Sequence, residues 1–135
     1  MLSETRRTLI KYRLDQAQEC LDAALMLADA NAYKDAANRS YYCMFHAMRA
    51  VLAIDAFDSK KHSGIIAKFQ QDYIKTAVFP PEFSKMIRDA FTIRGKSDYE
   101  DFFVIAKEDV EKQTENAKTF LTSVVAYIET QYANR

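Results

Sequence analysis

Apolar residues recur every three or four positions through Leu9, Leu14, Ala17, Leu21, Ala24, Leu25 and Ala28, the repeat of one face of an α-helix. Ser3 stands where a capping side chain is needed, so the pattern predicts a first helix over residues 4–29. Asp29, Ala30 and Asn31 interrupt it, and a second run from Tyr33 to about Ala53 restores the repeat while carrying Tyr41, Tyr42 and Phe45. Beyond an irregular polar stretch from Asp55 to Lys61, His62 to about Lys75 reads as a short third helix with Ile65, Ile66, Phe69 and Tyr73 inward. Pro80 and Pro81 fix the next loop, and Pro81 followed by Glu82 suits the first turn of a fourth helix ending at Ile93, with Gly95 as its C-terminal cap. A loop from Ser97 to Asp101 leads to a last helix from Ala106 to Tyr132, with Val110, Ala117, Phe120, Leu121, Val124 and Ile128 on one face.

Five helices and no bounded period-two alternation predict an all-α protein, an antiparallel bundle of about five helices. With 135 residues the chain fits one domain spanning 1–135, large enough to bury a core without staples. Only 2 Gly and 2 Pro occur, which agrees with long uninterrupted helices. Met26, Met44, Met48 and Met86 fall at helical spacing and read as core. Cys20 and Cys43 lie inside apolar patterns and read as buried, reduced thiols of a cytoplasmic protein. The charged residues Glu4, Arg6, Arg7, Lys11, Arg13 and Asp15 do not follow the order of a secretion signal. No uncharged stretch approaches the roughly 20 residues of a membrane span, so no membrane is expected.

The 19 basic residues balance 19 acidic ones, so any site for a polyanion has to be local. One segment has the residues for it. Arg39 and His46 are seven positions apart, which puts them on one side of the second helix and about 10 Å apart along its axis. They do not touch at that distance, but they can flank one phosphodiester. The planar fork of Arg39 suits its nonbridging oxygens, and the imidazole of His46 suits proton exchange with a ribose 2′-hydroxyl near neutral pH. Such chemistry cleaves RNA with no metal and no cofactor. The leaving 5′-oxygen still needs a proton, and two protomers meeting along the second helix would bring a second Arg39 and His46 to supply it, so a homodimer follows from the mechanism. Ser40, Tyr42 and Arg49 are candidate RNA contacts beside this pair. Lys60, Lys61 and His62 form a small basic cluster before the third helix that reads as solvated rather than phosphate-binding, with a helix-start role open to His62 or Ser63, and Arg94 and Asp98 read as a structural clasp with Tyr99 packed behind it. The two histidines lack Cys or carboxylate neighbours at ligand spacing, so no metal is expected.

The run NRSYYCMFHAMRAVL over residues 38–52 resembles the central helix of HEPN-domain proteins, whose hallmark is Arg, four to six residues, then His; here six intervene. KKHSGIIAKFQQDYIKT over 60–76 and IRGKSDYED over 93–101 extend the likeness to small stand-alone HEPN proteins, in the same order along most of residues 15–130. The residue after the family's Arg is often Asn, Asp or His, where this chain has Ser40. The resemblance implies a helical bundle, usually a homodimer, and in many members metal-independent endoribonuclease activity, often as a toxin. It also implies a partner, a minimal nucleotidyltransferase acting as antitoxin. The chain has no Gly-Ser turn followed by paired Asp residues and is not expected to be that transferase. A rival reading keeps the same helix face and drops the catalysis: a noncatalytic module that docks a nucleotidyltransferase or a nucleotide.

Overall fold

The structure is a computed structural model that describes residues 2–134. Five helices follow one another: α1 (Glu4–Asp29), α2 (Tyr33–Ile54), α3 (His62–Phe69), α4 (Glu82–Tyr99) and α5 (Lys107–Asn134). Among the described residues there is no strand. Ser3 caps α1 as expected, its Oγ accepting the Arg6 N–H at 3.1 Å. The turn after α1 places Asn31 at φ 63°, a left-handed conformation that Asn tolerates better than most side chains.

α2 is the axis of the molecule. It packs against α1, α3, α4 and α5, and 14 of its 22 residues are buried, as a helix apolar nearly all round requires. Side-chain pairings fix the directions. Arg6 donates to the Ala53 carbonyl and Arg13 to that of Arg49, so later residues of α1 meet earlier residues of α2 and the pair is antiparallel. Against α5 the pairings advance together, Gln113 on Ser40 and Cys43 on the Ala117 carbonyl, so α2 and α5 run the same way. The long passage through α3 and α4 makes that parallel pair possible. Phe83 stacks on Phe120 at 4.8 Å between ring centroids, while Ile93 and Asp109 line one cleft, so α4 lies antiparallel to α5.

Two elements differ from expectation. α4 continues through Gly95 to Tyr99, and Gly95 is an interior helical residue rather than a cap. A helical glycine costs only about 1 kcal/mol, and the Arg94–Asp98 ion pair at 3.4 Å spans the turn it would have ended. The third helix changes pitch at Gln70–Ile74, where π-type bonds such as Lys75 N–H to the Gln70 carbonyl carry the chain on.

The core holds Tyr41, Met44, Met48, Phe69 and Phe120, together with Ile10, Ile65, Ile87 and Ile128. Cys20 and Cys43 are buried free thiols, and burial pushes the Cys43 thiol up to about 12. The buried stripe of α1 runs through Ile10, Arg13, Ala17, Cys20, Leu21 and Ala24, leaving Leu9 and Leu25 outside it. Met26 is exposed, against the core reading. Tyr99 is exposed as well, so it does not back the Arg94–Asp98 clasp. Among the described residues no helix is long and apolar enough to cross a membrane.

Candidate active site

Arg39, Tyr42, His46 and Arg49 follow one another on α2 at steps of three, four and three, and all four are half-buried along one stripe of its surface. Tyr42 stands between the two residues of the hallmark pair. The Arg39 guanidinium lies 5.4 Å from the centre of the Tyr42 ring, and the His46 ring centroid lies 6.1 Å from it. Neither side chain is sealed inside the protomer.

Ser40 belongs elsewhere. Its neighbour relation to Arg39 turns it about 100° around the helix, into the core, where it is fully buried. The Ser40 hydroxyl donates to the Ala37 carbonyl and accepts from Gln113 Nε2 at 2.6 Å. That leaves it no surface to offer RNA, and the expected contact is corrected to a joint between α2 and α5.

Other elements add cations that the linear motif does not contain. From α1, Arg13 reaches the Arg49 carbonyl at 2.9 Å and the Asp58 carboxylate at 3.3 Å. Arg49 grips the same carboxylate through Nε and a terminal nitrogen at 3.2 and 2.9 Å. From α4, Arg94 lies 5.5 Å from the rings of both Tyr41 and Tyr42. From the start of α3, His62 stacks on Phe45 at 4.0 Å and meets Tyr42 edge-on at 5.8 Å, while its Nδ1 is 2.7 Å from the Tyr41 hydroxyl. The solvated reading holds for Lys60 and Lys61, which are exposed, while His62 takes the helix-start role, as the first residue of α3, and is half-buried.

The cations are unevenly satisfied. Asp58 serves Arg13 and Arg49, and Asp98 pairs with Arg94 without a hydrogen bond to its buried Nε, but Arg39 meets no carboxylate, only the Asn38 side-chain carbonyl at 3.0 Å, the Cys20 thiol and the face of Tyr42. Among the described residues no carboxylate pairs with Arg39, and no hydrogen bond engages His46. Burial holds the His46 imidazole below its ordinary value, and the charges of Arg49, Arg39, Arg13 and His62 lower it further. His62 is lowered by burial first and then by Arg94 and Arg49. Both rings are therefore neutral at pH 7, the state in which an imidazole accepts a proton. Burial pushes the Asp58 carboxyl up, but hydrogen bonds from Arg49 and the Ser59 N–H, with the charges of Arg49 and Arg13, bring it below its ordinary value.

A half-buried arginine without a carboxylate, beside a neutral imidazole ringed by guanidiniums, is a site lacking an anion. The HEPN domain family matches residues 10–132, which hold every one of these side chains. This chain belongs to the HEPN domain family. A UPF0332 protein of Thermotoga maritima is 31% identical over 92% of this chain and 94% of its own length. Two Methanocaldococcus jannaschii proteins bearing the name "Putative toxin" are each 30% identical, one over 85% of this chain and 78% of itself, the other over 73% and 74%. Arg39 and His46, the pair read from the sequence, lie inside the matched range, and the fold supplies Arg13, Arg94 and His62 around them. A sequence signal for His62 did exist: it is the other of only 2 histidines, at the start of a family-like stretch. What the sequence lacked was any statement of which side of α2 the third helix approaches.

Proposed function

We propose that this chain is a metal-independent endoribonuclease of the HEPN family, working in the cytoplasm as a homodimer and as the toxin of a pair whose antitoxin is a minimal nucleotidyltransferase. The observation that carries the reading is the charge imbalance around His46: a neutral imidazole with guanidiniums on several sides and Arg39 unclaimed by any carboxylate. RNA supplies the missing anion. Arg39 holds the nonbridging oxygens of the scissile phosphodiester, and His46 removes the proton of the adjacent 2′-hydroxyl, whose oxygen attacks phosphorus. The P–O5′ bond breaks, leaving a 2′,3′-cyclic phosphate and a 5′-hydroxyl once the leaving oxygen has gained a proton. Tyr42 offers a ring face for a base beside the pair, and Arg49 meets phosphate only in competition with Asp58. The toxin role rests on the names of the two archaeal relatives and on family membership.

Purified protein incubated with mixed cellular RNA, in EDTA and in magnesium, tests this. Cleavage in EDTA is expected, with Arg39→Ala and His46→Ala each slowing it by about 10²-fold or more while helical circular dichroism is kept. Wild-type protein that leaves every RNA intact in both conditions transfers the case to the rival class, a noncatalytic module that docks its nucleotidyltransferase through the same stripe.

A further inference from the structure

The departing 5′-oxygen must receive a proton, which the sequence alone would draw from a second protomer's Arg39 and His46. We propose that His62 delivers it, so that each protomer holds both proton-transfer groups of the reaction; the inference rests on the nuclease reading.

The chain has only 2 histidines, and they come from different helices to one aromatic pair. His46 lies 6.1 Å from Tyr42 and 6.0 Å from Phe45, and His62 lies 5.8 and 4.0 Å from the same rings. One orienting partner fixes the second imidazole. The Tyr41 hydroxyl meets His62 Nδ1 at 2.7 Å, and the 15° stacking on Phe45 holds the ring plane. Tyr41 is wholly buried, and burial raises its phenol far above the ordinary value, so the hydroxyl keeps its proton. A hydroxyl both donates and accepts, so Tyr41 supports His62 in either form: it accepts from Nδ1–H in the imidazolium and in the Nδ1–H tautomer left after transfer. Nε2 has no hydrogen-bond partner among the described residues, and His62 is only half-buried. A base oriented by a third group, with its other nitrogen free, is the arrangement general acid–base chemistry uses. Arg94, at 5.5 Å from both tyrosine rings, adds positive charge on the same side.

The protons then balance within one protomer. His46 takes the 2′-hydroxyl proton as O2′ bonds to phosphorus, P–O5′ breaks, and His62 Nε2–H passes its proton to O5′. His46 ends protonated and His62 neutral, and exchange with water resets both. The phosphodiester charge favours imidazolium in the complex, opposing the burial and the guanidiniums that disfavour it in the free protein.

A substrate in which sulfur replaces the bridging O5′ separates the two histidines, because a thiolate leaves without being protonated. His62→Ala is expected to slow cleavage of ordinary RNA by about 10²–10⁴-fold and to restore rates within about tenfold of wild type on the thio substrate. His46→Ala stays slow on both. His62→Gln, which keeps an acceptor for Tyr41, should repeat the His62→Ala pattern if truncation harms folding, and Tyr41→Phe should show a milder form of it, marking a positioning residue. His62 variants that cut ordinary RNA at the wild-type rate, or that are equally slow on both substrates, overturn the inference and leave the nuclease standing. Wild-type protein inert on both substrates removes the nuclease and this inference with it.

Discussion

An imidazole among guanidiniums gives up its proton readily, and that has a consequence for stability that needs no substrate. The His46 value in the folded chain lies below the roughly 6.5 of an unfolded histidine. Between those two values the unfolded chain binds more protons, so the folded state gains on raising the pH. The contribution is complete above about pH 6.5 and drains away as the pH falls through the lowered value. His62 adds a second drain of the same sign. The stability difference between wild type and His46→Gln, from urea unfolding at pH 7.5 and pH 5, should therefore move in the variant's favour at the lower pH. A difference unchanged between the two would show that neither burial nor the three neighbouring arginines lower this ring.

Residue by residue, the sequence was legible wherever periodicity alone decides orientation. Arg39, Tyr42, His46 and Arg49 share a stripe because steps of three and four return to one face. The same arithmetic excludes Ser40, and weighing it as an RNA contact treated nearness in sequence as nearness in space. Arg13 was hidden for a different reason: a buried arginine occupies an apolar position in the repeat only when a carboxylate and a carbonyl elsewhere in the fold receive it.

At the scale of elements, boundaries failed where a local breaker was outweighed by its neighbours. Gly95 carried the expected helix end, yet Arg94 leans on Tyr41 and Tyr42 and pairs with Asp98, which holds one more turn in register. The structure makes this quantitative. A Cβ built on Gly95 meets nothing within 4 Å, and its backbone is not in the left-handed region. Gly95→Ala should therefore stabilise the protein by about 0.5–1 kcal/mol, through lost freedom in the unfolded chain and better helix propensity. Thermal melting checks it; a destabilised Gly95→Ala would mean that α4 ends before this residue in solution. Gly64 is the contrasting case, since a Cβ there meets the Ser59 side chain at 2.5 Å, at the entry to the helix that presents His62. Identical residues, each near the end of a predicted helix, thus have opposite roles that only the packing separates.

The whole molecule balances its charges, and the site depends on their being gathered rather than on their sum. Four arginines from α1, α2 and α4 converge beside two histidines, and a single loop carboxylate, Asp58, keeps two of them in place. Arg13 has 8% of its side chain exposed, so its charge is costly without a partner, whereas Asp58 is half exposed and its attraction is screened by solvent. Asp58→Asn keeps the size and an acceptor but removes the charge, and the partial exposure limits the cost to about 1–2 kcal/mol. The exposed pair Lys85–Asp89 supplies the comparison: Asp89→Asn should change stability by about 0.5 kcal/mol or less, although its nitrogen–oxygen distance of 2.6 Å is the shorter. Urea unfolding of both variants distinguishes a carboxylate that secures buried cations from one that decorates the surface. Equal, small losses would mean that the Asp55–Lys61 loop merely lies against the bundle. A larger loss at Asp58 would mean that this one acid, reached from α1 by Arg13 and from α2 by Arg49, holds the two cations together and ties the loop to the bundle.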